Sequence, residues 1–250
     1  MFASMAVMRK DISRRLRRGE HLVLYGPWGG GKTTVVIELE GRFRQAGIPC
    51  GRSELTQSVD DILNALKAAY PSVDTTGLDL LGARARFVEA AISSAGILLL
   101  DHVIEVDNLM ARFLQRLHRG PIGVLSVVDV EVEEEKRSLR PWRLGTLAVR
   151  IPPEPTSRLA ELLESYHREH GLPPLKDEFK AQLLRFAQGR PGWIRACLEL
   201  EREGHYWQDD QLFISQLCED TDRAMRWAAE QALGLASKAN QTGPSGPHEK

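Results

Sequence analysis

The chain has 250 residues, 42% of them hydrophobic and 27% charged, and its formal net charge is −1 at pH 7. These values fit a globular protein with a sizeable core, and the balanced charge excludes a chain that is basic or acidic throughout. Three cysteines without a CxxC pair exclude a disulfide framework and a thiolate zinc site. No apolar run approaches the length of a membrane span, and we predict a cytoplasmic protein.

The first half of the chain alternates helical patterns with apolar runs. It begins with a predicted basic helix over 9–18, a strand at 21–25 and a helix over 32–45. The next predicted elements are a strand at 48–55, helices at 58–71 and 80–94, a strand at 96–103, a helix at 106–118, and strands at 122–128 and 146–151. Apolar strands that alternate with helices predict a mainly parallel sheet flanked by helices, an α/β fold.

The pattern changes at PPEP (152–155). Beyond it we predict three helices up to about residue 204, a small hairpin at 205–215 and one more helix to about residue 236. The polar end of the chain is typical of a disordered tail. The predicted domains are a core over 1–151, a small helical domain over 152–237 and a tail over 238–250.

The segment GPWGGGKT (26–33) matches the pattern G-x-x-x-x-G-K-[ST] and lies between a predicted strand and a predicted helix. Glycine lets such a loop wrap closely, so that backbone N–H groups point inward at phosphates beside a helix N-terminus. Lys32 is expected to reach the β- and γ-phosphates of ATP, and the Thr33 hydroxyl to bind Mg²⁺. The predicted nucleotide-binding residues are Gly26, Pro27, Trp28, Gly29, Gly30, Gly31, Lys32, Thr33 and Thr34.

Asp101 directly follows the apolar run ILLL (97–100). An acid at the end of a buried strand can hold Mg²⁺ through water molecules, because this small, hard cation keeps much of its hydration shell. The alternatives are an aspartate that only forms a turn and, for the loop, a glycine-rich turn that happens to precede Lys-Thr. The two motifs together favour a site for ATP and Mg²⁺.

With these motifs the chain resembles P-loop ATPases of the AAA+ and STAND type, and it is similar to bacterial origin-recognition-like and transposition-helper ATPases. The resemblance covers about residues 8–204. It rests on LYGPWGGGKTT, LLLDHV, IGVLSVV, VRIPP and QGRPGWIRACLEL. It implies a P-loop NTPase fold, an ATP site covered by a helical lid, and assembly into rings or filaments.

The chain departs from the family pattern in the residues that assist hydrolysis. In the family, an acid that orients the attacking water usually follows the metal-binding aspartate, but His102 stands here. Glu105 is a possible substitute. Ser126 or Asp129 is a candidate for the polar residue that senses the γ-phosphate. These departures predict hydrolysis that is slow or dependent on a partner.

The arginines that the family uses are also displaced. In the lid motif Gly-x-Pro-Arg, this chain has Gly192 in place of the arginine, and Arg195 or Arg190 is left as a candidate. For the arginine finger that a neighbouring subunit supplies, the resemblance indicates Arg140, with Arg137 and Arg143 as alternatives in a charged segment. The alternative for each of these arginines is a solvated position on the surface.

Three functions are compatible with these residues. The first is a nucleotide-driven switch or assembly factor that hydrolyses ATP and acts as a homo-oligomer or on a protein partner. The second is a scaffold that binds nucleotide without hydrolysing it, in which His102 marks a lost base. A small-molecule kinase is the third and needs an acceptor pocket. DNA is a possible partner through the basic segment 9–18.

Overall fold

The computed structural model of the chain describes residues 4–103, 106–129, 147–203, 205–208 and 211–239. Tertiary contacts divide the chain into two compact units. The first extends to Arg158 and includes Gly189–Gly192, whereas the second comprises Leu159–Gln188 and continues from Trp193. The glycine-rich segment 26–33, which we call the phosphate-binding loop after its predicted role, therefore belongs to the first unit.

A parallel sheet forms the centre of the first unit. Within the described residues its five strands are β1 (His21–Gly26), β2 (Cys50–Ser53), β3 (Gly96–Leu100), β4 (Ile122–Asp129) and β5 (Leu147–Arg150). They lie in the order β2-β3-β4-β1-β5, and every neighbouring pair is parallel. Because parallel strands end at the same edge, the segments that follow β1, β3 and β4 meet at the carboxyl edge of the sheet.

Helices cover both faces of this sheet. They are α1 (Met5–Leu16), α2 (Lys32–Gln45), α3 (Val59–Ala69), α4 (Leu80–Ser93) and α5 (Asn108–Leu117). One buried cluster joins α1 and α2 to Leu125 and Val127 of β4, and another joins α3, α4 and α5 to Val124 and Val128 of the same strand. Alternate residues of one strand thus enter two cores, as expected for a sheet buried on both faces.

Helix α1 begins earlier than the prediction of a basic helix over 9–18. Ser4 is its N-cap and accepts a hydrogen bond from the backbone N–H of Val7. Four apolar side chains at helical spacing face the core: Met5, Met8, Ile12 and Leu16. The predicted start at residue 9 is wrong because the first turn of the helix, 5–8, is apolar and precedes the run of basic residues.

The second unit is helical with a short hairpin. The remaining elements are α6 (Thr156–His170), α7 (Asp177–Ala187), α8 (Pro191–Arg202), β6 (Trp207–Gln208), β7 (Gln211–Leu212) and α9 (Ile214–Ala239). Strands β6 and β7 pair antiparallel. The fully buried Trp193 lies in the core of this unit, and its indole Nε1 donates a hydrogen bond to Asp222 at 2.7 Å.

The predicted fold class is confirmed by this sheet, its flanking helices and the helical block with its hairpin. The domain limits at 151 and 237 stay a prediction. Residues 240–250 of the predicted tail lie outside the described residues. Among the residues that are described, no helix is long and apolar enough to span a membrane.

Candidate nucleotide site

The phosphate-binding loop leaves β1 at Gly26 and enters α2 at Lys32. Gly29 and Gly31 have φ angles of 76° and 87°, in the left-handed region that glycine adopts without a steric penalty. The N–H of Gly30 donates to the carbonyl of Pro27 at 3.2 Å and closes a tight turn. Gly31, the N-cap of α2, offers no side chain to cap the helix, so the first N–H groups of α2 remain free to bind an anion.

Lys32 is held on the inner side of this loop. Its ammonium donates to the carbonyls of Gly26 and Pro27 at 2.8 and 2.7 Å, and lies 2.6 Å from Oδ1 of Asp129. The side chain is only 3% exposed. Asp129 reaches this position because it is the last residue of β4 and is in register with Gly26 of the neighbouring β1. No local sequence pattern indicates this ion pair, because its two residues lie on separate elements.

Asp101 is a fully buried carboxylate directly after β3. Its Oδ1 accepts a hydrogen bond from the backbone N–H of His102 at 3.1 Å, while Oδ2 has no hydrogen-bond partner among the described residues. Burial raises the pKa of Asp101 above its ordinary value, although the charge and N–H of His102 and the Thr33 hydroxyl oppose the shift. An unpartnered buried carboxylate oxygen beside a threonine hydroxyl fits the ligand chemistry of hydrated Mg²⁺.

His102 lies between Thr33 and Asp129. Its Nδ1 is 2.9 Å from Oδ2 of Asp129, and its Nε2 is 3.3 Å from Oγ1 of Thr33. The φ angle of His102 is 44°, a left-handed conformation that non-glycine residues adopt rarely. The ring of Trp28 is also near, with its centroid 5.3 Å from that of His102. The histidine that replaces the family's acid is therefore fixed by specific contacts at the loop.

The electrostatics of this pair favour charges of opposite sign. The hydrogen bond to Asp129 raises the pKa of His102 against the effect of burial. Burial acts to raise the pKa of Asp129, but His102 and Lys32 outweigh it, and this pKa lies below its ordinary value. The carboxylate of Asp129 therefore has two partners: Oδ1 faces the Lys32 ammonium, and Oδ2 faces the ring of His102.

The segment GRPG (189–192), in which Gly192 stands where the lid motif has arginine, contacts the phosphate-binding loop through its backbone. The N–H of Gly192 donates to the carbonyl of Gly29 at 2.8 Å. A β-carbon on Gly192 would lie 2.8 Å from the Cα of Gly29, closer than van der Waals contact allows. Glycine at this position therefore has a steric reason: an arginine would push the segment away from the phosphate-binding loop.

The remaining candidate residues lie on several different elements. Ser126 lies inside β4, opposite Leu100 and Val23, whereas Asp129 ends the strand at the edge. Thr34 is exposed on α2, and Arg195 is exposed on α8 in the second unit. The candidates that lie outside the described residues are Glu105, Arg137, Arg140 and Arg143.

Several solved structures are similar to this chain. Cdc6p from Pyrobaculum aerophilum matches with a TM-score of 0.56 and 14% identity over 79% of this chain and 60% of that one. The fold is that of a P-loop NTPase of the AAA+ type. A DNA replication initiation factor matches with a TM-score of 0.51 and 16% identity over 78% and 59%. DnaA from Aquifex aeolicus, bound to AMPPCP, matches with a TM-score of 0.50 and 17% identity over 88% and 64%.

These comparisons confirm the predicted resemblance at the level of the fold. This chain spans 60% and 59% of the length of the first two structures, so their complete activities do not transfer with the fold. No protein-family model matches the sequence, and no curated protein matches it.

Proposed function

We propose that the chain is an ATPase that binds ATP with Mg²⁺ and acts as a nucleotide-driven switch or assembly factor. The observation that carries this proposal is the convergence at one sheet edge of a glycine loop, the Lys32 ammonium and the buried, unpartnered Oδ2 of Asp101. Likeness to a structure of DnaA bound to an ATP analogue supports it. The predicted cytoplasmic location remains part of the proposal, which the three buried free cysteines support.

In the proposed complex each group has a defined task. The loop N–H groups and the N-terminus of α2 bind phosphate oxygens, and the Lys32 ammonium neutralises charge on the β- and γ-phosphates. Thr33 and Asp101 would hold Mg²⁺, which supplies electrostatic stabilisation of the phosphoryl group when bound. Binding of phosphates competes with Asp129 for Lys32, since both offer negatively charged oxygens to one ammonium.

Hydrolysis in this proposal is slow or stimulated by a partner. His102 places less negative charge beside the attacking water than the acid of the family does. A homo-oligomer or a protein partner would supply the arginine finger, and Arg140 and Arg195 stay predictions for the finger and the lid. Persistent ATP occupancy without phosphate release, alone and with partners, would favour the non-hydrolysing scaffold instead.

The test of ATP binding is Lys32→Ala. Removal of the ammonium takes away charge-assisted hydrogen bonds to phosphate, and we expect ATP affinity to fall by about 100-fold or more. Affinity is measured by titration with a fluorescent ATP analogue and Mg²⁺. Lys67→Ala, an exposed lysine in the last turn of α3, is the matched control and should bind as the wild type does. Thermal unfolding verifies that both variants fold; equal affinities would refute the site.

We also propose a nucleic-acid contact at the opposite edge of the sheet. Eight arginines and only one acidic residue, Glu20, lie in three segments that lead from a helix end into β1, β2 and β4. These segments, called turns below, are 14–21, 42–49 and 116–121. The amino-edge surface, as we define it, consists of the exposed residues Arg14, Arg17, Arg18, Arg42, Arg44, Arg116 and Arg119.

Tertiary contacts join these three turns. The guanidinium of Arg17 lies 5.8 Å from the ring centroid of Phe43, between Arg42 and Arg44 in sequence. At the start of β1, the ring of His21 lies 4.1 Å from that of His118 after α5. Within the described part of the chain, Arg17, Arg18, Arg116 and Arg119 form no ion pair.

The chemistry of the amino-edge surface favours phosphate. Guanidinium groups bind phosphate oxygens in bidentate fashion. A membrane surface is less suited, because none of the exposed large apolar residues lies in these three turns and the apolar side of α1 is buried in the core. The basic segment that the sequence suggested thus becomes part of a wider surface formed by three helix ends.

A further inference from the structure

A cavity of about 390 Å³ lies between α6 and α7 in the second unit, and the loop that joins these helices forms one of its walls. This loop, 171–176, contributes Leu172, Pro174 and Leu175 to the lining. The buried His167 of α6 lines the same cavity. The position of the loop therefore decides how open the cavity is.

A hydrogen bond from His167 ties this loop to α6. Nδ1 of His167 is 2.8 Å from the carbonyl oxygen of Pro173, and because a carbonyl can only accept, Nδ1 carries a proton. Pro173 and Pro174 themselves have no N–H to donate. Within the described part of the chain, residues 173–175 make no other hydrogen bond. His167 is thus the polar anchor of the loop.

The second ring nitrogen of His167 faces a buried acid. Nε2 lies 3.2 Å from Oε2 of Glu201 on α8, and this glutamate is fully buried. Among the described residues, neither oxygen of Glu201 has a hydrogen-bond partner, so the imidazolium charge is what stabilises this carboxylate. Burial acts to lower the pKa of His167, but Glu201 and the carbonyl of Pro173 raise it above its ordinary value.

Other titratable groups surround this pair. Burial raises the pKa of the thiols of Cys197 on α8 and Cys218 on α9, which keeps both uncharged while His167 titrates. The charged side chains that line the cavity come from α6 and α7, and one pair of them is in contact, Lys180 with Glu164. They are Glu164, Arg168, Asp177 and Lys180.

A neutral imidazole has one proton and cannot serve both partners. If the proton stays on Nδ1, the lone pair of Nε2 faces the carboxylate of Glu201; if it moves to Nε2, the bond to Pro173 is lost. Leaving a buried charge without its partner is strongly destabilising. The carbonyl of the exposed Pro173, in contrast, can bind water instead. The neutral ring is therefore expected to keep Glu201 and release Pro173.

We propose that His167 is a pH-operated latch: its charged ring holds the loop 171–176 on α6, and its neutral ring, with the proton on Nε2, releases the loop and opens the cavity. The latch is closed below the ordinary pKa of histidine, about 6.5, and opens as pH rises through the raised pKa of the folded state. It is independent of ATP binding, because all its residues belong to the second unit.

A nitroxide label on the loop measures its release. Lys176→Cys places an exposed thiol at the end of the loop, and the three native cysteines are buried, so the label attaches to residue 176. Between about pH 5 and 9, the ratio of mobile to immobile label should rise about tenfold per pH unit through the transition, because one proton controls the loop. A spectrum that stays constant over this range would overturn the latch.

The control label separates a local latch from general unfolding. Gln216→Cys is an exposed position on α9 in the same unit, and its label should keep the same mobility throughout the titration. A rise in mobility at both positions would show that the unit unfolds with pH, and would contradict a latch confined to the loop.

Glu201→Gln tests the cause of the release. Its amide NH₂ group can donate to Nε2 of a neutral ring, whose single proton then stays on Nδ1 and holds Pro173. In this background the label at residue 176 should remain immobile at every pH. The pH dependence of the wild type in this variant would refute the role of the buried pair.

Nitrogen-15 NMR of the imidazoles reports the tautomer directly. The signal that is missing from the double variant His167→Gln/Glu201→Gln belongs to His167, and this double variant leaves no buried acid without a partner. In the neutral ring we expect the proton on Nε2 in the wild type and on Nδ1 in Glu201→Gln. A wild-type neutral ring with its proton on Nδ1 would overturn the proposal.

Discussion

At the scale of single residues, glycine has two different roles around the candidate site. Gly29 and Gly31 adopt left-handed φ angles that shape the phosphate-binding loop, and the sequence motif predicted them. Gly192 is required for another reason, its close approach to Gly29, which no local pattern indicates. The glycine that stands in place of the lid motif's arginine is thus explained by a backbone contact with Gly29, 163 positions earlier in the chain.

Gly192→Ala should therefore weaken nucleotide binding. The added β-carbon would lie 2.8 Å from the Cα of Gly29, and relief of this clash must move the loop. Overpacking of this kind costs about 1–3 kcal/mol, so we expect ATP affinity to fall by about 5- to 150-fold. Titration with a fluorescent ATP analogue measures the change.

Gly41→Ala is the control for this substitution. Gly41 lies in α2, and a β-carbon there meets no atom within 4 Å. Alanine favours a helix over glycine by about 1 kcal/mol, so the control should unfold at an equal or higher temperature and bind ATP normally. If Gly192→Ala also binds ATP as the wild type does, the contact has no role in shaping the loop.

At the scale of elements, a buried ion pair connects α6 and α8 in the second unit. Nε2 of His167 lies 3.2 Å from Oε2 of the fully buried Glu201. Nδ1 of His167 is 2.8 Å from the carbonyl oxygen of Pro173, which can only accept. Both ring nitrogens therefore face oxygen atoms, and protonation of the imidazole places a positive charge beside the carboxylate of Glu201.

This pair predicts that the second unit loses stability as pH rises. Burial alone would lower the pKa of His167, but Glu201 and the Pro173 carbonyl outweigh it, and the pKa is raised above its ordinary value. The stabilisation is complete below the pKa of the unfolded chain, about 6.5, and is lost as pH rises through the folded pKa. The slope is at most about 1.4 kcal/mol per pH unit.

Glu201→Gln should remove this pH dependence. Its amide NH₂ group can donate to Nε2 of the neutral imidazole, so the folded state no longer needs the extra proton. Urea unfolding of the wild type and the variant between about pH 6 and 8 gives the difference in the free energy of unfolding. Parallel curves for the two proteins would show that His167 is not protonated in the folded state.

At the scale of the whole molecule, the two edges of the sheet in the first unit carry different sets of functional side chains. The carboxyl edge gathers the phosphate-binding loop, Asp101 and Asp129, while the amino edge gathers arginines from the ends of α1, α2 and α5. The net charge of −1 conceals this separation, since it averages over the chain. A polyanion such as DNA would interact with the local positive charge of the amino edge rather than with the net charge of the chain.

A fourfold glutamine variant tests the amino-edge surface. We expect a short DNA duplex to bind the wild type with strong salt dependence, and replacement of Arg17, Arg18, Arg116 and Arg119 to reduce the slope of log affinity against log salt by about 3–4. Fluorescence anisotropy over a salt series measures it. The control replaces the exposed residues Arg86, Arg185, Arg202 and Arg223.

Equal losses in the two fourfold variants would contradict a localised surface and indicate only a general effect of charge. Binding to vesicles rich in phosphatidylserine with no binding to DNA would assign the surface to a membrane instead. Binding of an acidic protein partner alone would likewise refute the nucleic-acid contact, since the same guanidinium groups can bind carboxylates.

The sequence by itself determined the local features of this protein. The phosphate-binding loop is contiguous, so its glycines, Lys32 and Thr33 could be identified from their order alone. The apolar runs and helical spacing located all five strands of the sheet and its covering helices, because burial on one or two faces leaves a periodic pattern.

Tertiary structure alone decided which distant residues meet. The order β3-β4-β1 places Asp129 beside both Lys32 and His102, and no sequence pattern specifies that order. The same holds for Gly192 against Gly29 and for His167 against Glu201. The physical reason is that side-chain chemistry and periodicity act locally, whereas these contacts depend on how separate elements pack in three dimensions.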